Sequence, residues 1–208
     1  MNTEKLLEML KLQDAINSQI TAQWRAQNYP WYRAIWVECG EMLDHYGWKW
    51  WKHQEPNLGQ LRLELVDIWH FLLSHYLVKA NGDSAAAVRN IAVDWDAAPQ
   101  AGHSGPDVRT RIEVLGGLAA LRQVSLPLFS QLLDDCGMDA ERLYRDYVSK
   151  NVLNHFRQDH GYKTGEYRKM WQGREDNEHM VEILARLRAG PGLADDLYRE
   201  LERKYGDA

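Results

Sequence analysis

The chain has 208 residues, 45% of them hydrophobic and 26% charged, with a formal net charge of -5. This is the composition of a globular protein long enough to bury a real core, and the acidic balance argues against a nucleic acid polymer as partner, which draws on a basic excess. The two cysteines, Cys39 and Cys136, offer neither a metal-ligand spacing nor a disulfide framework, so a reducing compartment is expected.

Taken in chain order, the pattern is helical. Met1-Asn2-Thr3-Glu4-Lys5 runs directly into an amphipathic stripe of Leu6, Leu7, Leu10, Ala15 and Ile20. No signal peptide is read at this end, and no apolar run approaches the ~20 residues of a membrane span. The expected location is therefore cytoplasmic, with no membrane partner. Pro30 breaks the chain, and a helix is predicted from about Trp31 to Tyr46, ended by Gly47. Asn57 to Gln60 has the spacing of a capping box, with Asn in place of Ser or Thr. A strongly apolar helix follows to about Ala80, where Asn81-Gly82 stops it.

Pro99, Gly102, Gly105 and Pro106 mark a loop over about 94–107. Two helices are predicted over roughly 108–135 and 139–157, parted near Gly137. Residues 158–174, rich in Gly, Lys, Arg and Tyr, read as irregular, and short helices over about 176–188 and 193–205 flank Gly190-Pro191-Gly192. No stretch alternates as a strand does. The fold expected is an all-α helical bundle forming one domain over 1–208, with about 80–137 as a smaller or mobile helical section.

Glu38 and Glu41 are three apart on one predicted helix, and Glu64 and Asp67 three apart on the next, so each pair shares a helix face. A random pair of this kind is usually a solvated surface feature. Here the neighbours are Ile35, Trp36, Val37, Cys39, Met42 and Leu43 in the first helix, and Leu61, Leu63, Leu65, Val66, Ile68, Trp69, Leu72 and Leu73 in the second. A helix apolar nearly all round is buried, and its acids then lie inside or line a cleft. Two such charges ~4 Å apart repel by roughly 4 kcal/mol at an effective dielectric of 20. Four together must share protons or hold cations. Hard oxygen donors without a thiolate suit Mg²⁺ or Mn²⁺. The site is expected between these two adjacent helices.

Asp67-Ile-Trp-His70 and Asp176-Asn-Glu-His179 also have the spacing seen in helical di-iron carboxylate proteins. Asp176, after Gly173, reads as a helix N-cap and not as an inward ligand, which weakens that alternative. A non-catalytic helical interaction module leaves the buried acids without a purpose.

Two further clusters are basic and aromatic. Trp48-Lys49-Trp50-Trp51-Lys52 follows the first acidic helix, and taken alone it reads as a surface turn with lysines snorkelling over the rings. Asn154 and Arg157 share a helix face, and Gly161-Tyr162-Lys163-Thr164-Gly165 follows, with glycines that let a backbone approach an anion. Arg and Lys beside Mg²⁺-binding carboxylates suit a polyphosphate. No GxxxxGK[ST] loop is present.

Together, Glu38-Cys-Gly-Glu41, Trp48-Lys49-Trp50-Trp51-Lys52, Glu64-Leu-Val-Asp67-Ile-Trp-His70-Phe71 and Asn154-His-Phe-Arg157-Gln-Asp-His-Gly161-Tyr162-Lys163 resemble the dimeric dUTPases of the all-α nucleoside triphosphate pyrophosphatase superfamily. Leu10-Lys-Leu-Gln13-Asp-Ala-Ile-Asn17 is similar to their opening motif. The resemblance spans residues 6 to about 180, without a matching motif between about 80 and 137. It implies a homodimer that cleaves dUTP to dUMP and pyrophosphate and also accepts dUDP. It implies Mg²⁺ held by Glu38, Glu41, Glu64 and Asp67, with Glu38 or Glu41 activating water. It implies phosphate contacts from Lys52, Arg157 and Lys163, and nucleoside contacts from Gln13, Asn17, Trp51, His70, Asn154 and Tyr162. A dCTPase or a broader pyrophosphohydrolase of the same superfamily is the neighbouring reading, because uracil and cytosine differ at one edge that a flipped amide can read either way.

Overall fold

The computed structural model describes residues 2–96, 107–187 and 192–206. Helix α1 (Thr3–Ile20) starts at Asn2, whose side chain accepts from the backbone N–H groups of Glu4 and Lys5. That satisfies two of the donors a helix start leaves open. Its buried face is Leu6, Met9, Leu10, Gln13, Ile16 and Asn17. Their three- and four-residue spacing puts two amides on the face that packs inward. A 3-10 turn at Trp24–Gln27, which the sequence pattern did not announce, seats Trp24 in the core.

Helix α2 (Trp31–Tyr46) ends at Gly47 with φ 85°. Glycine is needed there on two counts: the positive φ, and a Cβ that would meet Gln54 Cβ at 2.8 Å. Helix α3 (Leu58–Lys79) is capped by the Asn57 side chain, which accepts from the Gln60 N–H. It is buried on nearly every side, as its composition requires, and α1, α2, α4, α6 and α7 all pack against it.

Helices α4 (Ser84–Asp96), α5 (Val108–Ala120) and α6 (Leu126–Asp135) follow. Helix α4 thus covers the first three residues of the loop expected over about 94–107, and residues 97–106 lie outside those described. The single helix expected over 108–135 is two helices. Arg122 adopts φ 65° after α5, and Ser125 then caps α6, its side chain accepting from the Leu128 N–H, with Pro127 in the first turn. Ser-Leu-Pro is a helix start, hidden by the apolar residues on both sides. The section shares the core of the rest: Ile91, Ile112, Leu115 and Phe129 lie in one cluster with Leu10, Ile35 and Trp69. Trp69 stacks on Phe129 with ring centroids 5.4 Å apart.

Helix α7 (Ala140–Asp159) is capped by Asp139. The region expected to be irregular holds a short antiparallel pair, β1 (Met170–Trp171) and β2 (Arg174–Glu175). Gln172 and Gly173 between them both have positive φ, as a two-residue hairpin turn requires. Two-residue strands are too short to show alternation, which is why the sequence pattern missed them. Helices α8 (Asp176–Arg186) and α9 (Leu193–Gly206) close the described chain. They pack with α7 around Leu153, Phe156, Trp171, Met180, Leu197 and Leu201. Gly190 and Pro191 lie outside the described residues. Among the described residues, no helix is long and apolar enough to cross a membrane.

Candidate active site

The inward face of α2 carries Ile35, Cys39 and Met42, which holds Glu38 at the edge of the contact with α3. One carboxylate oxygen from each of Glu38, Glu41 and Glu64 lies within 4.8 Å of the others; Glu64 is buried, Glu38 half-buried and Glu41 exposed. Burial pushes the Glu38 carboxyl up to about 9, reinforced by the charges of Asp67, Glu64 and Glu41. Burial and then Asp67 push Glu64 up to about 7. The proximity of the Glu38 and Glu64 carboxylates adds to the shift of Glu38. On the other side of Glu64, His45 Nε2 lies 3.1 Å from its carboxylate.

Asp67 sits beside this cluster but differs from it. Its carboxylate is 2.8 Å from Lys150 Nζ, which also donates to Asn177 Oδ1 at 3.0 Å. Lys150 is buried, and the sequence pattern did not single it out. The signal was present: Lys150, Asn154 and Arg157 are spaced four and three apart on α7, so they share one face of that helix. Arg157 makes a two-pronged contact with Asp176, Nε and one Nη each at 2.8 Å, and donates to Asn154 Oδ1 at 3.2 Å. Tyr167 Oη donates to the same Asp176 at 2.8 Å. The N-cap reading of Asp176 is corrected here. Glu175 is the cap, its N–H bonded to Glu178, and Asp176 is the fully buried first residue of α8. Burial alone would raise the Asp176 carboxyl, but the bonds and charge of Arg157 hold it below the usual range.

A cavity of about 470 Å³ opens between α1, α2, α3 and α7. Its walls include Gln13, Asn17, Glu38, Asp67, His70, Asn154, Arg157 and Tyr162, with Trp24 and Trp31 as flat aromatic surface. Burial keeps the His70 imidazole neutral, its pKa lowered to about 3. Lys163 is exposed and donates to the backbone oxygen of Ile20, a residue of the cavity wall, at 2.6 Å. Trp51 and Lys52 are not brought to this cavity. They lie in the exposed α2–α3 loop, where Trp51 packs edge-on against Trp48 and Trp50.

A larger groove of about 1210 Å³, bordered by Arg62, Glu141, Arg145 and Glu182, lies away from the carboxylates. Glu38 and Asp67 line the smaller cavity and not the groove. The di-iron spacing does not assemble. His179 Nε2 bonds the Trp171 carbonyl at 2.8 Å and His70 Nδ1 faces Gln13 at 2.7 Å, so among the described residues neither joins the carboxylate group.

Fold and site define an all-α protein in which carboxylates from two neighbouring helices meet a cavity of the size small molecules occupy. A family model described as dUTPase matches residues 5–162, more than half of the chain. The chain belongs to this family, the dUTPases of the all-α type, and is a dUTP diphosphatase. Comparison with curated proteins gave no match.

Proposed function

We propose that this enzyme hydrolyses dUTP, and also dUDP, to dUMP with Mg²⁺ (Mn²⁺ as substitute), releasing pyrophosphate from dUTP. The observation that carries the reading is the shared wall: Glu38 and Asp67 line the same cavity as Gln13, Asn17 and His70. Phosphate chemistry and base recognition then lie within one nucleotide's reach.

The residues fit a divalent cation. The donors are carboxylate oxygens alone, three of them converge, and two are raised by burial and mutual repulsion that a cation relieves. When bound, Mg²⁺ neutralises phosphate oxygens and lowers the pKa of the attacking water. Glu38, on the cavity wall, takes the proton of that water, while Glu41 and Glu64 complete the oxygen set. Asp67 contributes from the side, its charge shared with Lys150. Arg157 meets the phosphate chain with its orientation already fixed by Asp176, which avoids ordering it on binding. Lys163 contacts the chain from the rim. Gln13, Asn17, His70, Asn154 and Tyr162 hold the nucleoside. Trp51 and Lys52 are left without a place in the cavity.

We take the protein to be a cytoplasmic homodimer. The family resemblance motivates this, and α2 and α5, which pack together, expose Trp36, Val37 and Val114, with exposed Leu121 just after α5. The deciding experiment for function is a nucleotide panel with product identification, run with and without Mg²⁺. The expected result is dUMP from dUTP and dUDP, little turnover of dCTP and dTTP, and none in EDTA. Equal rates on all four move the assignment to a broad pyrophosphohydrolase, preference for dCTP moves it to a dCTPase, and full turnover without metal refutes the carboxylate site.

A further inference from the structure

A single run of hydrogen bonds lies under the nucleoside end of the cavity, and its direction has consequences for the base. His70 Nδ1 lies 2.7 Å from Gln13 Oε1. Gln13 Nε2 donates to Asn17 Oδ1 at 3.0 Å, and Asn17 Nδ2 donates to Ser74 Oγ at 2.9 Å. The Ser74 hydroxyl donates to the His70 carbonyl at 2.9 Å, closing the run on α3. Tyr147 Oη lies 3.1 Å from Gln13 Oε1 and 2.9 Å from the Met9 carbonyl. Gln13, Asn17 and His70 line the cavity; Ser74 and Tyr147 are buried behind them.

An amide has a donor end and an acceptor end, and a neutral imidazole has one N–H. Such a run can therefore point either way, but only as a unit. In the sense above, His70 carries its proton on Nδ1, and both amides point their nitrogens toward Ser74. In the opposite sense, His70 carries it on Nε2, Nδ1 accepts from Gln13, and each amide is reversed.

Two features select the first sense. His70 Nε2 is buried without a hydrogen-bond partner among the described residues. A buried N–H without an acceptor is costlier than a bare ring nitrogen, so the proton belongs on Nδ1, where Gln13 Oε1 receives it. The Ser74 hydroxyl, already donating to the His70 carbonyl, meets Asn17 as an acceptor.

The sense fixes what is left for a ligand. In the first, Gln13 and Asn17 each retain one N–H not used by the run. In the second, both N–H groups of Gln13 are taken by His70 and Tyr147, and only its carbonyl remains. Uracil offers carbonyl acceptors, whereas cytosine places an amino donor at the position of one of them. Spare amide donors match uracil, and a spare carbonyl matches cytosine.

We infer that Ser74 is a positioning residue for base choice: it holds the Gln13 and Asn17 amides in the sense that accepts a deoxyuridine nucleotide and rejects its cytosine counterpart. This rests on the nucleotide reading above and adds a residue that touches no substrate.

The test compares the full-length wild type with Ser74→Ala and the control Ser149→Ala. The Ser149 hydroxyl is also buried, but it donates to the Arg145 carbonyl on α7, outside the run. Values of kcat/KM are measured for dUTP and dCTP. The dUTP-over-dCTP ratio is expected to fall roughly tenfold or more in Ser74→Ala, and to stay unchanged in Ser149→Ala. A merely structural loss lowers both substrates together and leaves the ratio alone. Nitrogen-15 NMR of the imidazole supplies a readout independent of turnover. The wild type should carry the His70 proton on Nδ1, and Ser74→Ala should move population to Nε2. An unchanged ratio in Ser74→Ala, or a wild type protonated on Nε2, overturns the inference. Equal wild-type rates on dUTP and dCTP overturn the uracil assignment, and the selectivity role with it; the NMR tautomer then shows whether the run itself is as described.

Discussion

Replacing Glu38 by glutamine removes an ionisable carboxyl from the cluster at nearly constant shape, and the raised Glu38 pKa sets the order of the effect. In the unfolded chain the Glu38 carboxyl is ionised at pH 7, because its ordinary value is 4.5; folding raises it to about 9, so it must take up a proton. Each pH unit between the unfolded value and the working pH costs about 1.4 kcal/mol. At pH 7 that amounts to roughly 3 kcal/mol, which Glu38→Gln recovers because its side chain is already neutral. The sign follows from linkage. An acid raised on folding destabilises the fold above its unfolded value, and the penalty grows with pH until the folded value is reached. Without metal, Glu38→Gln is therefore expected to melt about 5–10 °C above wild type at pH 7, and within a few degrees of it at pH 5. Turnover at saturating Mg²⁺ is expected to fall by orders of magnitude. The assay is a pair of melting curves in EDTA at each pH, set beside kcat. A variant that melts below wild type at pH 7, or whose advantage is the same at both pH values, refutes the argument that these acids are mutually repelling and uncompensated.

Asp67→Asn should behave in the opposite way: it strands the buried Lys150 ammonium, so urea unfolding of the metal-free protein should show a loss of roughly 3–5 kcal/mol. Asp176→Asn strands Arg157 and should cost a similar roughly 3–5 kcal/mol at pH 7. Because Asp176 is held below its ordinary range, that stabilisation is present above the unfolded value and lost as pH falls through the folded one. Acid titration of both proteins should accordingly show the gap closing at low pH. Light scattering at micromolar concentration should give the mass of two chains, and a fully active monomer would refute the homodimer.

Much of this protein is legible along single helices. The stripe that buries Leu6 and Leu10 also carries Gln13 and Asn17 inward, and the three-residue spacings of Glu38 with Glu41 and Glu64 with Asp67 put each pair on one face. Periodicity reports which residues share a face, and composition reports whether that face is buried, so the all-α fold and the meeting of Glu38, Glu41 and Glu64 were both readable. The same logic failed where helices end inside apolar sequence, as at Ser125, and where strands are two residues long, as at Met170–Trp171.

Tertiary packing alone decided the pairings. Asp176 looked like an outward cap because its local context is a helix start; it is buried because the hairpin turns that start toward Arg157, 19 residues earlier on α7. Asp67 looked equivalent to Glu64, yet Lys150 from a third helix pairs directly with Asp67, at 2.8 Å. The Trp48-to-Lys52 segment looked like part of the site but projects from an exposed loop. The closed run through Ser74, Asn17, Gln13 and His70 joins two helices whose sequences carry no sign of one another. A side chain's face is set by the 3.6-residue turn of its own helix, whereas its partner is set by the angle and offset at which another helix packs, and those depend on the shape of the whole core.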